Sequence, residues 1–354
     1  HKLIFLLFNP AQMNFSNSLI NWYLQNKRDL PWRKTTNPYA IWLSEIMLQQ
    51  TRVAQGLPYF YSFMDAFPTV FDLAQAEEEG VLKLWQGLGY YSRARNLHAT
   101  AKQIAFDYNG KFPDNYQKLL QLKGVGEYTA AAIASFAYNE PVAVVDGNVF
   151  RVLARYFGMN EDTALLSTKK TFQNKAQELL PIKKAALFNQ AIMEFGALQC
   201  VPKSPDCSNC VLATSCFAFQ NDKVNALPVK SKKTKVTNRY FNYLIMKDVR
   251  GFLVVEKRIH DGIWKNLYEF QLVETPQNVP LESLVTTIKA DFNPRQVILK
   301  NDIPLVHKLS HQHLHIRFFE LEFSNEIEAA KPLETIMKLP FPIVIHKFLE
   351  ANYL

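Results

Sequence analysis

The chain has 354 residues, 48% of them hydrophobic, enough to bury a large core and to divide into two or three domains. Lysine and arginine outnumber aspartate and glutamate by 40 to 32, a net charge of +8 with a pI near 9.1, which points to a polyanionic partner such as nucleic acid. No apolar stretch reaches the roughly 18 to 20 residues that a membrane span needs, and the Leu3–Phe8 run is short even for a signal-peptide core, so a cytoplasmic protein is expected.

In chain order, His1 with a downstream Met13 suggests that the first dozen residues are an upstream extension, with a docked strand as the other reading. From Ser16 to about Phe219 apolar residues recur at helical spacing, as in Ser18–Gln25, Ala40–Tyr61, Val81–Tyr108 and Tyr116–Leu122, which predicts an all-α region. A polar, basic stretch from Lys230 to Arg239 then leads into strand-like runs at Tyr240–Met246 and Gly251–Glu256. Helices near Leu281–Phe292 and Pro342–Asn352 complete an α+β region. In Leu314–Phe323 the apolar parity switches at Phe318 and Phe319, predicting a bulge or burial on both faces. The domains expected are residues 14–225, all-α, and 239–354, α+β, joined by a linker over 226–238.

All four cysteines fall within one segment, Cys200-x6-Cys207-x2-Cys210-x5-Cys216, with Pro202 and Pro205 in the first loop. Such clustering in a cytosolic chain favours a metal site over disulfides, and four thiolates suit zinc or an iron–sulfur cluster. Upstream, Leu122-Lys123-Gly124-Val125-Gly126 lies between helix-like Tyr116–Gln121 and Thr129–Tyr138. Gly124 and Gly126 permit a tight turn that presents backbone N–H groups at a helix start, where a phosphate fits. About twenty residues on, Val142–Val145 runs into Asp146-Gly147-Asn148 and a helix at Val149–Phe157. Asp146 is a natural N-cap for that helix and can also face a site.

Taken together, this order resembles the endonuclease III superfamily of DNA repair enzymes: a helix-hairpin-helix, then a catalytic aspartate, then a [4Fe-4S] loop of x6-x2-x5 spacing. The resemblance implies the cluster as cofactor, held by Cys200, Cys207, Cys210 and Cys216. Members that also cut the strand carry a lysine in a sequence resembling G-V-G-x-K-T-A, whereas this chain has Gly126-Glu127-Tyr128-Thr129-Ala130. Tyr128 cannot form a Schiff base, so the reading is a glycosylase that uses water and leaves an abasic site.

Glu45 lies in helix-like Ser44–Thr51, with Ile41, Trp42 and Leu48 three or four residues away. Apolar surroundings disfavour its ionised form, as a general acid at neutral pH requires, although a lone helical glutamate is most often exposed and structural. Leu30-Pro31-Trp32-Arg33, Ser44 to Thr51, and Gly87-Leu88-Gly89-Tyr90-Tyr91-Ser92-Arg93 closely resemble the adenine-specific MutY family. By that resemblance Arg28, Leu30, Trp32, Arg33, Glu45 and Gln190 line an adenine pocket, and Gln50, Leu88 and Tyr90 enter the base stack when the nucleotide is flipped out. Core packing is the alternative for Leu88 and Tyr90.

Gly262-Ile263-Trp264-Lys265-Asn266-Leu267-Tyr268-Glu269-Phe270 resembles the G-x-W-x-x-L-x-E-F segment of the Nudix-like domain that ends MutY proteins, but the phosphohydrolase's R-E-x-x-E-E helix is absent. Lesion recognition is therefore expected in place of nucleotide hydrolysis. Leu309-Ser310-His311 resembles the Phe-Ser-His loop with which that family reads 8-oxoguanine, leucine replacing phenylalanine. His307, His311, His313 and His315 alternate as metal ligands on a strand could, and the reading preferred here is without metal.

The sequence thus predicts a multidomain protein: an all-α helix-hairpin-helix glycosylase domain with an iron–sulfur loop, then an α+β Nudix-like domain. Its expected activity is release of adenine opposite 8-oxoguanine or guanine in double-stranded DNA, by a monomer. Glu45 would protonate N7, Asp146 would steady the sugar cation or briefly bond C1′, and Tyr128 and Asn148 would orient the site. A bifunctional lyase, a non-catalytic DNA-binding protein with a zinc module, and a Nudix phosphohydrolase are the competing readings.

Overall fold

The computed structural model describes residues 10–231 and 236–354. Residues 1–9, most of the expected extension, and 232–235, inside the expected linker, lie outside the described residues. Two compact units emerge, and their division is not that of the sequence reading. One contains the described residues up to Ala74 with those from Ala99 to 231; the other joins Gln75–His98 to the described residues from 236 to 354.

The first unit is helical: α1 (Pro10–Asn26), α2 (Pro38–Leu48), α3 (Val53–Ala66) and α4 (Val70–Gln75, shared at its end). Then come α5 (Glu78–Leu84) and α6 (Ser92–Lys102), largely in the other unit, followed by α7 (Tyr116–Leu119), α8 (Glu127–Tyr138) and α9 (Gly147–Phe157). The series closes with α10 (Leu166–Leu179), α11 (Ala185–Leu198) and α12 (Phe217–Gln220). One core joins Phe15, Leu19 and Tyr23 of α1 to Val152 of α9, Phe172 of α10, and Phe188 and Phe195 of α11. Helix α2 packs on α8, whose Ala130, Ala131, Ala132 and Ala134 are buried and keep its surface low enough for close approach. Every α2 residue from Tyr39 to Met47 is buried, so the glutamate in this mostly apolar run is enclosed by the fold.

The Ala40–Tyr61 run is broken between α2 and α3, where Gln50 takes the left-handed conformation at φ 57°. Residues 226–231, expected as linker, dock on the helical unit. Leu227 is buried in the same core, Val229 accepts from Thr163 N at 3.0 Å, and Ser231 bonds Asp162. Within this stretch Leu227 is the apolar anchor, and Ser231 is the polar side chain tied to the helical unit.

The second unit is built on β1 (Thr237–Lys247), β2 (Glu256–Lys257), β3 (Tyr268–Glu269), β4 (Gln271–Thr275), β5 (Gln296–Leu299), β6 (Leu305–Lys308) and β7 (Gln312–Glu322). Its five-stranded sheet runs β4-β1-β7-β5, with β6 also on β7, and β1 lies parallel to β7 from Thr237↔Gln312 through Lys247↔Glu322. That register is unbroken at Phe318 and Phe319, so the parity switch marks burial on both faces. On one face α13 (Leu281–Phe292) packs Leu284 and Ile288 against Leu244, Phe319 and Leu321. On the other, Phe348 of α15 (Ile343–Tyr353) stacks on Phe318 at 3.8 Å, with α14 (Leu333–Ile336) preceding it. Gly251–Glu256, expected as a strand, forms only a bridge at Leu253 and the start of β2.

Residues 75–98 belong to this unit through specific polar contacts. Lys83 donates to the carbonyls of Met337 (2.7 Å) and Leu339 (3.1 Å), Tyr268 donates to Glu79 (2.8 Å), and Phe341 N donates to Gln86 (2.9 Å). These close backbone and side-chain groups that burial would otherwise leave unpaired.

Candidate functional site

The helical unit contains a cavity of about 580 Å³. Glu45, Tyr128, Asp146 and Asn148 line it, and so do Arg28, Leu30, Trp32, Arg33 and Gln190, drawn from α1's exit, α2, α8, α9 and α11. Residues up to 162 positions apart are thus brought together.

Glu45 is 7% exposed and accepts the Tyr128 hydroxyl on Oε2 at 2.8 Å. Burial pushes its carboxyl up to about 7; the Tyr128 hydrogen bond works against this, and the nearby Asp146 charge adds to it. Asp146 is the N-cap of α9, its Oδ1 accepting from Asn148 N and Val149 N and its Oδ2 from Asn148 Nδ2, each at 2.8 Å. Burial also raises Asp146, while those hydrogen bonds favour its carboxylate. Two carboxyl groups that influence each other's charge hold one proton more readily than none. Asp146 has three donors and Glu45 one, which favours the carboxylate on Asp146 and the protonated form on Glu45.

Three contributors escaped the sequence reading. Glu194 of α11, fully buried, receives bidentate pairs from Arg28 and Arg33, with both Nη2–Oε2 distances at 2.6 Å. Burial raises its carboxyl, but the hydrogen bonds from Arg33 and Arg28 overcome this and hold it down to about 2. It is one helical turn beyond Gln190, so the i, i+4 spacing was a usable signal. Arg151 donates from Nη2 to Asn148 Oδ1 and the Gly196 carbonyl, each at 2.7 Å, and from Nε to the Cys200 carbonyl at 2.7 Å. Its place three residues after Asn148 was the hint. Tyr23 donates to Gln190 Oε1 at 2.7 Å, which no motif announced.

The other expected DNA contacts lie elsewhere. Gln50 is exposed at the α2–α3 break. Gly124 takes φ 75°, a conformation side chains resist, and Gly126 caps α8 with open space where a Cβ would stand. In the second unit Leu88 is buried (3% exposed), whereas Tyr90 is 46% exposed with φ 47°. Leu309 N donates to the Gln312 carbonyl at 2.8 Å, closing a tight β6–β7 turn with exposed Ser310 and His311 at its tip. The Ser310 hydroxyl meets the Tyr90 hydroxyl. His307 packs on Trp264 and His315 stacks on Tyr240, so these histidines face different neighbours.

The four cysteines are free thiols that line one small cavity of about 30 Å³. Arg155, itself 3% exposed, braces this loop, donating to Cys200 Sγ at 3.4 Å and to the carbonyls of Val201, Pro202, Val224 and Leu227. Burial raises the thiols of Cys207, Cys210 (to about 11) and Cys216, and each is raised further by its neighbours' charge. Clustered thiols of this kind ionise readily only on binding a cation. Among the described residues no group of three or more His, Cys, Asp or Glu side chains forms a site for a single metal ion.

A helix-hairpin-helix unit with paired carboxyls on the wall of a cavity large enough to admit a nucleotide base, followed by a sheet-based unit, defines a class, and comparison with known proteins agrees. The HhH-GPD superfamily of base excision DNA repair proteins matches residues 43–181, and a NUDIX domain matches 242–351. Curated adenine DNA glycosylases of two Buchnera aphidicola strains resemble the chain. That of subspecies Baizongia pistaciae is 35% identical over 304 residues, covering 85% of this chain and 84% of the relative. That of subspecies Schizaphis graminum is 32% identical over 350 residues, covering 92% and 98%. A solved thermostable thymine-DNA glycosylase is 30% identical with a TM-score of 0.55, covering 59% of this chain and 96% of that one. The chain belongs to the adenine DNA glycosylase family.

Proposed function

We propose that this chain is a monofunctional glycosylase that hydrolyses the bond between adenine and deoxyribose in duplex DNA, at adenine opposite 8-oxoguanine or guanine. The observation that carries this is the carboxyl pair: Glu45 near 7 and Asp146 braced by three donors on the wall of one cavity. Glycosidic cleavage needs an acid for the leaving base and an anion for the sugar, which develops positive charge. Glu45 donates its proton to N7 of the flipped adenine, the C1′–N9 bond breaks with its electron pair going to the base, and Asp146 stabilises the cation or bonds C1′ until water displaces it. Tyr128 holds Glu45, and Asn148 holds Asp146.

That a solved thymine-DNA glycosylase is 30% identical supports the reading that the pocket side chains, not the fold, choose the base. Arg28, Leu30, Trp32, Arg33 and Gln190 supply that choice. Exposed Gln50 and Tyr90 enter the base stack, whereas Leu88, buried, is left to core packing, and the amides at Gly124 and Gly126 meet phosphate. The Leu309-Ser310-His311 turn contacts 8-oxoguanine through Ser310 and His311.

The cysteine cavity fits a [4Fe-4S] cluster better than a zinc ribbon, because one close pair, Cys207 and Cys210, is joined by two distant thiols around a common hollow. The cluster would supply structural cross-linking of the loop, and base removal is assigned none of its redox chemistry.

Borohydride in the presence of adenine-mismatched duplex tests the monofunctional reading. Tyr128 offers no amine, so no protein–DNA adduct is expected; a trapped adduct would make the enzyme a lyase.

A further inference from the structure

Gln190 has an amide with two different ends, and the structure occupies only one. Oε1 accepts from the Tyr23 hydroxyl at 2.7 Å, and no other hydrogen bond of the Gln190 side chain occurs among the described residues. Gln190 lines the cavity. An amide oxygen only accepts and an amide nitrogen only donates, so with Oε1 turned toward α1 the end left for the cavity is a donor. Turning the amide over would place its carbonyl toward the cavity and leave the hydroxyl hydrogen of Tyr23 without an acceptor, inside a core where that is costly.

Tyr23 is suited to impose this choice. It is 1% exposed and packed in the core between α1 and α11, so its hydroxyl has one direction. The Arg33 guanidinium lies over its ring at 5.6 Å from the centroid while bonding Glu194, so the ring also supports the second polar wall of the cavity.

We propose that Tyr23 is a positioning residue that fixes which end of the Gln190 amide meets the base, making the pocket select a purine edge with an unprotonated ring nitrogen over one that carries N–H. This rests on the adenine-glycosylase reading. Adenine offers such a nitrogen at N1, where hypoxanthine carries N–H.

The test is single-turnover release of adenine and of hypoxanthine, each opposite 8-oxoguanine, by the full chain, Tyr23→Phe, Gln190→Leu and the double variant. Phenylalanine keeps the packed ring and its cation contact and removes only the hydroxyl. Tyr23→Phe should lower the adenine-to-hypoxanthine rate ratio about two- to tenfold, the range of one hydrogen bond. Gln190→Leu should lower it at least as far, and the double variant no further than Gln190→Leu. Unsubstituted purine should follow adenine, and Gln190→Glu, which presents an acceptor to the base, should move the ratio toward hypoxanthine. An unchanged ratio in Tyr23→Phe, or an equal drop when the change is made in the Gln190→Leu background, overturns the proposal. A parent protein that releases no adenine overturns the reading of the site, and this proposal with it.

Discussion

Glu45→Gln should cost the enzyme its activity and gain it stability above neutral pH. The carboxyl is raised from 4.5 to about 7 by burial, so the folded state holds the ionised form less well than the unfolded chain does. The stability linked to the protonated carboxyl is complete below pH 4.5 and is lost as pH rises through about 7. At about 1.4 kcal/mol per pH unit, the native state at pH 8 is penalised by roughly 3 kcal/mol. Glutamine stays neutral, and its oxygen can still accept the Tyr128 hydroxyl. The variant should therefore match the parent near pH 4.5 and exceed it at pH 8 by up to about 3 kcal/mol, read from urea unfolding at both values. In single turnovers it should release adenine about a hundredfold or more slowly. A stability difference that does not change between the two pH values would refute the buried-acid reasoning.

Tyr128→Phe removes the hydrogen bond that lowers Glu45, so the alkaline limb of the rate profile, expected near pH 7 in the parent, should move to higher pH; an unmoved limb would separate Tyr128 from the acid. Gly196→Ala would place a Cβ 2.7 Å from Asn148 Cβ and 2.8 Å from its carbonyl oxygen, forcing α11 off α9. Slower adenine release and a loss of about 1–3 kcal/mol in unfolding are expected, and normal kinetics would mean that the Asp146–Asn148 geometry tolerates the shift. Replacing both Ser310 and His311 with alanine should narrow the preference for adenine opposite 8-oxoguanine over adenine opposite guanine; an unchanged ratio would remove the turn from lesion reading.

Much of the site was legible because its chemistry rests on short, local patterns. Asp146 sits where an apolar run ends and a helix begins, and it serves as N-cap while lining the cavity. The clustered cysteine spacing pointed to a common site, and all four thiols line one hollow. Tyr23 was not legible, and Glu194 and Arg151 showed only a helical spacing to Gln190 and Asn148, since each acts through a partner 45 to 167 positions away. The strand expected over Gly251–Glu256 failed for a related reason: strand pairing depends on a partner edge, and only Leu253 and Glu256 find one. The unit boundary at Gln75–His98 was invisible because those residues are helical like their neighbours, and contacts such as those with Tyr268, Met337, Leu339 and Phe341, distant in sequence, place them with the sheet.

The central claim is tested most directly by single-turnover incubation with a duplex carrying adenine opposite 8-oxoguanine, resolved with and without hot alkali. Strand cleavage that appears only after alkali is the predicted result, since it reports an abasic site left by hydrolysis. Cleavage without alkali would contradict the monofunctional mechanism, and intact strands under both conditions would contradict the assignment of adenine to this cavity.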